Sequence, residues 1–252
     1  MISRQQIDTY GRDGVVHLPN AIGEPWLTRL CDVAQALQEA PQPLQAVNGE
    51  ALPDSYLWIT FEACADALAA LPLANYAATL MGSRGVRLFY DQMFMKAPCF
   101  STSTPWHQDA SHWCLGGEMI CSLWLALDYI GVGDGALRYL PGSHRSGTIY
   151  RPCFSDGSPW PGTTGPLPPD FEQAHTKTIE VRPGDIIVHH SRTVHASHPN
   201  RTQRHSRRAY VTRWLGDDAV YVPRGFEMPL PVNTKLCQGQ PLNHPLFLKF
   251  TS

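Results

Sequence analysis

A mainly β domain, a sandwich or barrel flanked by α-helices, is what this sequence predicts, and three observations carry the expectation. From Val86 onward the chain is built of short β-branched, aromatic and aliphatic runs: "VRLFYDQMFMK", "ICSLWLALDYI", "ALRYLPG", "KTIEVRPGDIIVHH" and "RAYVTRWL". Turn formers separate them, and the 22 Pro and 20 Gly exceed ordinary usage of roughly 12% together. Apolar residues at helical spacing are confined to about the first third.

The elements follow in order. "IGEPWLTRLCDVAQALQEA", residues 22–40, places Trp26, Leu27, Leu30, Val33, Ala34 and Leu37 on one helical face. Pro25 suits its first turn, and "PQP" at Pro41 to Pro43 ends it. A second helix is predicted over Cys64 to Met81, broken or kinked at Pro72. Residues 86–216 then form the β core, with Pro183-Gly184-Asp185 as a turn, "DIIVHH" as a strand, "SHPNRTQ" as a polar turn and "RRAYVTRW" as the returning strand. Alternation puts Arg207, Ala209, Val211 and Arg213 on one face of that return and Arg208, Tyr210, Thr212 and Trp214 on the other.

Inside this core, "RPCFSDGSPWPGTTGPLPPD", residues 151–170, has no periodicity, and so long a loop in a compact domain reads as a candidate lid. The tail, residues 217–252, is apolar and proline-rich enough either to strap the core or to make a contact. All 252 residues are read as one domain, helix-rich over 1–85.

A net charge of -2 and 17% charged residues give no electrostatic footprint for nucleic acid or an anionic membrane surface, so a small-molecule partner is favoured. The seven cysteines are odd in number and irregularly spaced, without a C-x-x-C pair; they are expected to be reduced and mostly buried. The N-terminal stretch lacks an apolar signal region and no run nears the roughly 18 residues of a membrane span, from which a cytoplasmic location is expected. Oligomeric state is not readable.

Chemistry concentrates in "TPWHQDASHW", where strand alternation would turn His107 and Asp109 to one side. Imidazole plus carboxylate needs one more imidazole to make the two-His, one-carboxylate facial triad that holds Fe(II) with open positions. On spacing alone the third ligand is any of His189, His190, His195, His198 and His205.

From "IDTYGRDGVVHLPNAI" through "WHQD" and "DGALRYLPGSH" to "GDIIVHHSRTVHASHPNRT" and "RRAYVTRW", the chain resembles the phytanoyl-CoA dioxygenase family of Fe(II)- and 2-oxoglutarate-dependent oxygenases. The resemblance implies a double-stranded β-helix (a cupin-like jelly roll), Fe(II) held by His107, Asp109 and His195, and 2-oxoglutarate and O2 as cosubstrates. It implies that Arg207 clamps the distal carboxylate of 2-oxoglutarate, with Arg208 or Arg204 as alternatives because one residue is inserted in the preceding turn. Ser197 would donate its hydroxyl to that carboxylate, and Gln92 and Trp124 would line the cosubstrate pocket. Ala196 and His198 stand where the family often has glycine, which touches the turn geometry and not the ligand set.

Relatives that halogenate have a small residue at the carboxylate position, so Asp109 implies hydroxylation of a C–H bond with release of succinate and CO2. Desaturation or cyclisation on the same site, and a cosubstrate-independent cupin-type metalloenzyme, are the alternatives. Phe94, His112, Trp113, Tyr150 and Arg213 are expected to face the substrate. Arg213 would meet an anionic or strongly polar group, or else pair internally with Asp128 or Asp217.

Overall fold

The computed structural model describes residues 1–39, 55–100, 102–154, 156–172, 174–203, 205–224, 226 and 230–251; Pro41–Pro43 and Arg204 lie outside them. Helices open the chain for local reasons. α1 (Arg4–Asp13), which no periodicity announces, is held by a capping box in which the Ser3 hydroxyl accepts from the Gln6 amide and the Gln6 side chain accepts from that of Ser3. β1 (Val15–Leu18) follows at once. α2 (Trp26–Glu39) starts just after Pro25, four residues later than the periodic stretch begins, and buries Leu27, Leu30, Val33, Ala34 and Leu37 as its spacing requires. After α3 (Leu57–Thr60), the expected second helix is a pair, α4 (Glu62–Ala70) and α5 (Leu73–Met81), divided at Pro72 and bent by 50°. Among the described residues no single helix is long and apolar enough to cross a membrane.

The strands are β2 (Gly85–Lys96), β3 (Thr104–His107), β4 (Leu115–Gly116), β5 (Ile120–Ala126), β6 (Leu137–Tyr139), β7 (Lys177–Ile179), β8 (Ile186–His190), β9 (His195–Ser197), β10 (Arg207–Leu215), β11 (Val220–Tyr221) and β12 (Lys249–Thr251). A six-stranded sheet runs β1-β8-β5-β10-β2-β12 and a four-stranded sheet runs β3-β9-β6-β7, with antiparallel pairings throughout. This mainly β arrangement is the double-stranded β-helix, and a β4-β11 pair sits beside it.

Alternation divides every central strand between two environments. Cys121, Leu123 and Leu125 of β5, Ile186 and Val188 of β8, and Tyr210 and Trp214 of β10 pack in the cluster that includes the apolar faces of α1, α2, α4 and α5. Trp124 and Ala126, Ile187, and Ala209 and Val211 face inward, against Leu137 and Tyr139 of the smaller sheet. The helices therefore brace the larger sheet from outside, leaving its inner face for the site.

The tail straps the core: β12 adds an edge strand to β2, and Leu242, Leu246 and Phe247 are buried with Phe89 and Trp113. All seven cysteines are unpaired, but only Cys64, Cys114 and Cys121 are buried, while Cys99 and Cys237 are exposed. The expectation of mostly buried cysteines is corrected there, because those two lie in surface loops outside the core strands.

Gly184 shows how tightly the turn before β8 is set. Its φ is 90°, and a Cβ there would come 2.1 Å from the Ile22 carbonyl oxygen, whose own amide donates to the Gly184 carbonyl at 3.0 Å. Gly184→Ala should therefore cost about 2 kcal/mol or more of stability, read as a shift of the denaturant midpoint at unchanged slope. An unshifted midpoint would show that the turn yields without strain.

Candidate active site

β3 ends at His107, yet Gln108 keeps an extended backbone (φ -118°, ψ 134°) before Asp109 opens a short 3-10 turn to His112. The expected strand alternation thus runs one residue beyond the strand, and the turn carries the carboxylate. Across the smaller sheet His107 lies opposite His195, which lies opposite Tyr139.

Backbone carbonyls orient both imidazoles. His107 Nδ1 donates to the Pro105 oxygen at 2.8 Å and His195 Nδ1 to the Thr193 oxygen at 2.9 Å, tautomers assigned from partners that can only accept. Each ring keeps an Nε2 lone pair, 4.0 Å (His107) and 3.8 Å (His195) from Asp109 Oδ1, and the three ligand atoms lie within 4.8 Å of one another. Asp109 Oδ2 is taken: the Ser122 hydroxyl donates to it at 2.6 Å and His189 Nε2 at 3.1 Å, while Tyr139 Oη lies 3.2 Å from His189 Nδ1. Oδ1 alone is thus left for a metal, and with two neutral imidazoles it makes the donor set of a facial triad.

Electrostatics agree with that donor set. Burial disfavours the Asp109 anion, but the His189 hydrogen bond and the fields of His195, His189 and Arg213 outweigh it and hold the carboxyl well below the usual range. Burial pushes His107 and His195 down, toward the neutral form that can ligate.

His189 was among several histidines open on spacing, and its place beneath Asp109 was not foreseen. It belongs to the inward row of β8 with Ile187, and β8-β5-β10-β2 line up His189, Ser122, Arg213 and Tyr90 as register partners. His190, one residue on, faces away and meets His144.

The cluster lies on a cavity of about 600 Å³. Gln92, Phe94, His112, Trp113, Trp124, Ser197, Arg207 and Arg213 all line it, as do Cys153 and Phe154 of the 151–170 loop. Tyr150 does not. Gln108 is buried and pins that stretch, donating to the Thr148 and Arg192 carbonyls and accepting from the Tyr150 amide, so the tyrosine ring turns to Phe171 at 6.0 Å. His112 stands edge-on to Trp160 of the same loop at 5.0 Å, and burial holds its imidazole down to about 4.

One end of the cavity is cationic. Arg207 is 4% exposed, its guanidinium stands over Trp124 at 5.3 Å, and its Nε has no hydrogen-bond partner. Arg208, on the outer face, donates to Asp128 at 2.8 Å and is thereby removed as the pocket cation. Opposite Arg207 on β2 stands Lys96, a residue that sequence reasoning missed. Its ammonium donates to the Ser197 hydroxyl at 2.7 Å and to the His198 and Thr102 carbonyls at 3.1 and 3.3 Å, and burial beside Arg207 lowers it to about 7. Ser197 in turn donates to Thr104 Oγ1 at 2.8 Å. In this arrangement Lys96 reaches the Ser197 oxygen and the hydroxyl proton goes to Thr104, while Ser197 itself lines the cavity.

Residues 10–209 match the family model described as phytanoyl-CoA dioxygenase (PhyH). A phytanoyl-CoA dioxygenase from Arabidopsis thaliana is 30% identical over 142 residues, 56% of this chain and 48% of that protein. An L-proline trans-4-hydroxylase from Streptomyces griseoviridis is 25% identical over 147 residues, 56% of this chain and 54% of that one. The chain thus spans about half the length of the curated relatives it matches. Among solved structures, the epimerase SnoN in complex with Fe3+, alpha ketoglutarate and nogalamycin RO superposes with a TM-score of 0.75 at 25% identity, covering 96% of each chain. The alpha ketoglutarate dependent carbocyclase SnoK gives the same TM-score at 23% identity over 99% of this chain and 97% of its own, a likeness of fold.

Proposed function

We infer the activity from a premise the comparisons establish: the chain belongs to the phytanoyl-CoA dioxygenase family. On that premise it is an Fe(II)- and 2-oxoglutarate-dependent dioxygenase that hydroxylates a C–H bond of a small molecule. The observation that carries this reading is the cluster of a half-buried His107, a half-buried Asp109 and a buried His195, with an inward-facing Arg207 on the same cavity. His107 Nε2, Asp109 Oδ1 and His195 Nε2 would hold the iron. With 2-oxoglutarate and O2, Fe(II) there supplies an oxidant able to attack an unactivated C–H bond, releasing succinate and CO2.

What remains is the work of the chain's own residues. Pro105 and Thr193 fix the imidazoles, and Ser122 and His189 fix the carboxylate so that one oxygen points inward. Arg207 presents a planar guanidinium to the distal carboxylate of 2-oxoglutarate, with Lys96 beside it and Gln92 and Trp124 as walls. Phe154 and Cys153 of the 151–170 loop, with Phe94, add apolar lining to the cavity. The solved epimerase that holds Fe3+ and alpha ketoglutarate on this fold and the proline hydroxylase relative both support the assignment.

The test is anaerobic titration of the Fe(II)-loaded protein with 2-oxoglutarate, watching for the weak visible charge-transfer band of the chelate. The band is expected. Bound iron without a band would move the reading to a metalloenzyme that uses no cosubstrate, and a chlorinated product in the presence of chloride would overturn hydroxylation.

A further inference from the structure

We propose that Arg213 is a recognition site for the carboxylate of the substrate, which is therefore a monoanionic acid with a flat apolar body. The proposal deepens the reading above, since it names what the second half of the same cavity takes. Arg213 is 3% exposed and lines the cavity. Its Nε and Nη1 have no hydrogen-bond partner, and the one carboxylate whose ionisation its field is seen to favour, Asp109, gives its Oδ2 to Ser122 and His189 instead. The two internal partners foreseen for it are engaged elsewhere: Asp128 with Arg208 at 2.8 Å and Asp217 with Arg84 at 3.1 Å.

Asp109 feels the field of Arg213 but accepts no hydrogen bond from it, and a buried guanidinium whose N–H groups lack an acceptor is costly, a cost that a ligand carboxylate would remove. Its surroundings say which ligand. The guanidinium carbon lies 4.3 Å from the centre of the Tyr90 ring, 5.3 Å from Phe94 and 6.0 Å from Trp113. Aromatic neighbours hold the plane of the fork, whose N–H edge matches a carboxylate bidentately, and offer walls to a flat apolar body.

The register separates this site from the 2-oxoglutarate end. Arg207 and Arg213 stand six residues apart on the inner face of β10, about 20 Å along an extended strand, a span beyond a five-carbon diacid. Arg213 is instead the direct partner of Ser122, the residue that holds Asp109. Arg213 therefore shares its strand row with Ser122 and His189, the two residues that hold Asp109, and a carboxylate bound there would present a carbon near the acid group to the metal cluster.

The experiment uses 3-phenylpropionate and its primary amide as probes, with tryptophan fluorescence and the melting temperature of the Fe(II)-loaded protein under argon as readouts, with and without saturating 2-oxoglutarate. The acid should bind about tenfold or more tighter than the amide, additively with 2-oxoglutarate. Arg213→Met should erase that preference while keeping the 2-oxoglutarate charge-transfer band and a ligand-free melting temperature at or above that of the unaltered protein. Equal binding of acid and amide overturns the proposal, as does a variant that melts lower and still prefers the acid. Loss of the charge-transfer band in the unaltered protein would instead overturn the cosubstrate reading and leave the acid preference to be judged separately.

Discussion

Asp109→Ala is expected to abolish iron-dependent succinate release and to leave the protein without stoichiometric Fe(II) after dialysis. Asp109 supplies the only carboxylate oxygen in the cluster, and its Oδ1 faces both imidazole Nε2 atoms. Outer-shell substitutions around a metal cost about 10- to 100-fold, and loss of a ligand should exceed that range. His189→Gln is the paired control. It removes a donor to Oδ2 at 3.1 Å and leaves the three ligands, so metal should remain with activity lowered within the outer-shell range. An Asp109→Ala protein that still holds one iron and turns over 2-oxoglutarate would remove Asp109 from the ligand set.

The fold and the triad were legible because each depends on alternation or order along the chain. The inward and outward rows of β10 follow from "RRAYVTRWL" alone, and the burial of Tyr210 and Trp214 against helices while Ala209 and Val211 pack between the two sheets is that alternation made solid. His189 could have been found the same way, since it shares the inward row of β8 with Ile187. Lys96 could not, because its role comes from standing opposite Arg207 across β2 and β10, a register that neither strand specifies by itself. Tyr150 was misplaced for a related reason. Gln108 reaches 42 residues along the chain to take its amide, and a side chain gripping a distant loop leaves no local pattern. The capping box of α1 was readable as S-x-x-Q, but the apolar periodicity used to find helices is weak there.

The affinity for 2-oxoglutarate should fall as pH rises above about 7, through the ammonium that periodicity could not announce. Lys96 is buried, faces the Arg207 guanidinium across the sheet, and is otherwise surrounded by the Ser197 hydroxyl, the His198 and Thr102 carbonyls and the Phe100 ring. None of these carries a negative charge, so burial and the neighbouring cation lower the lysine to about 7. Arg207, lowered by burial only to about 10, stays charged at neutral pH. The ligand-free protein thus binds fewer protons at Lys96 than the unfolded chain between about 7 and the ordinary lysine value, and this residue makes stability rise with pH across that window. A carboxylate entering beside Lys96 favours the ammonium and lifts its pKa, so binding takes up a proton and weakens by up to about tenfold per pH unit until the bound-state value is passed. In anaerobic titrations across that range, Lys96→Met should flatten the dependence and weaken binding about tenfold at neutral pH, whereas Arg207→Met should weaken it about 100-fold or more with iron retained. An affinity that does not change with pH in the unaltered protein, or an equal slope in Lys96→Met, would confine the anchoring of the distal carboxylate to Arg207 and return Lys96 to bracing Ser197.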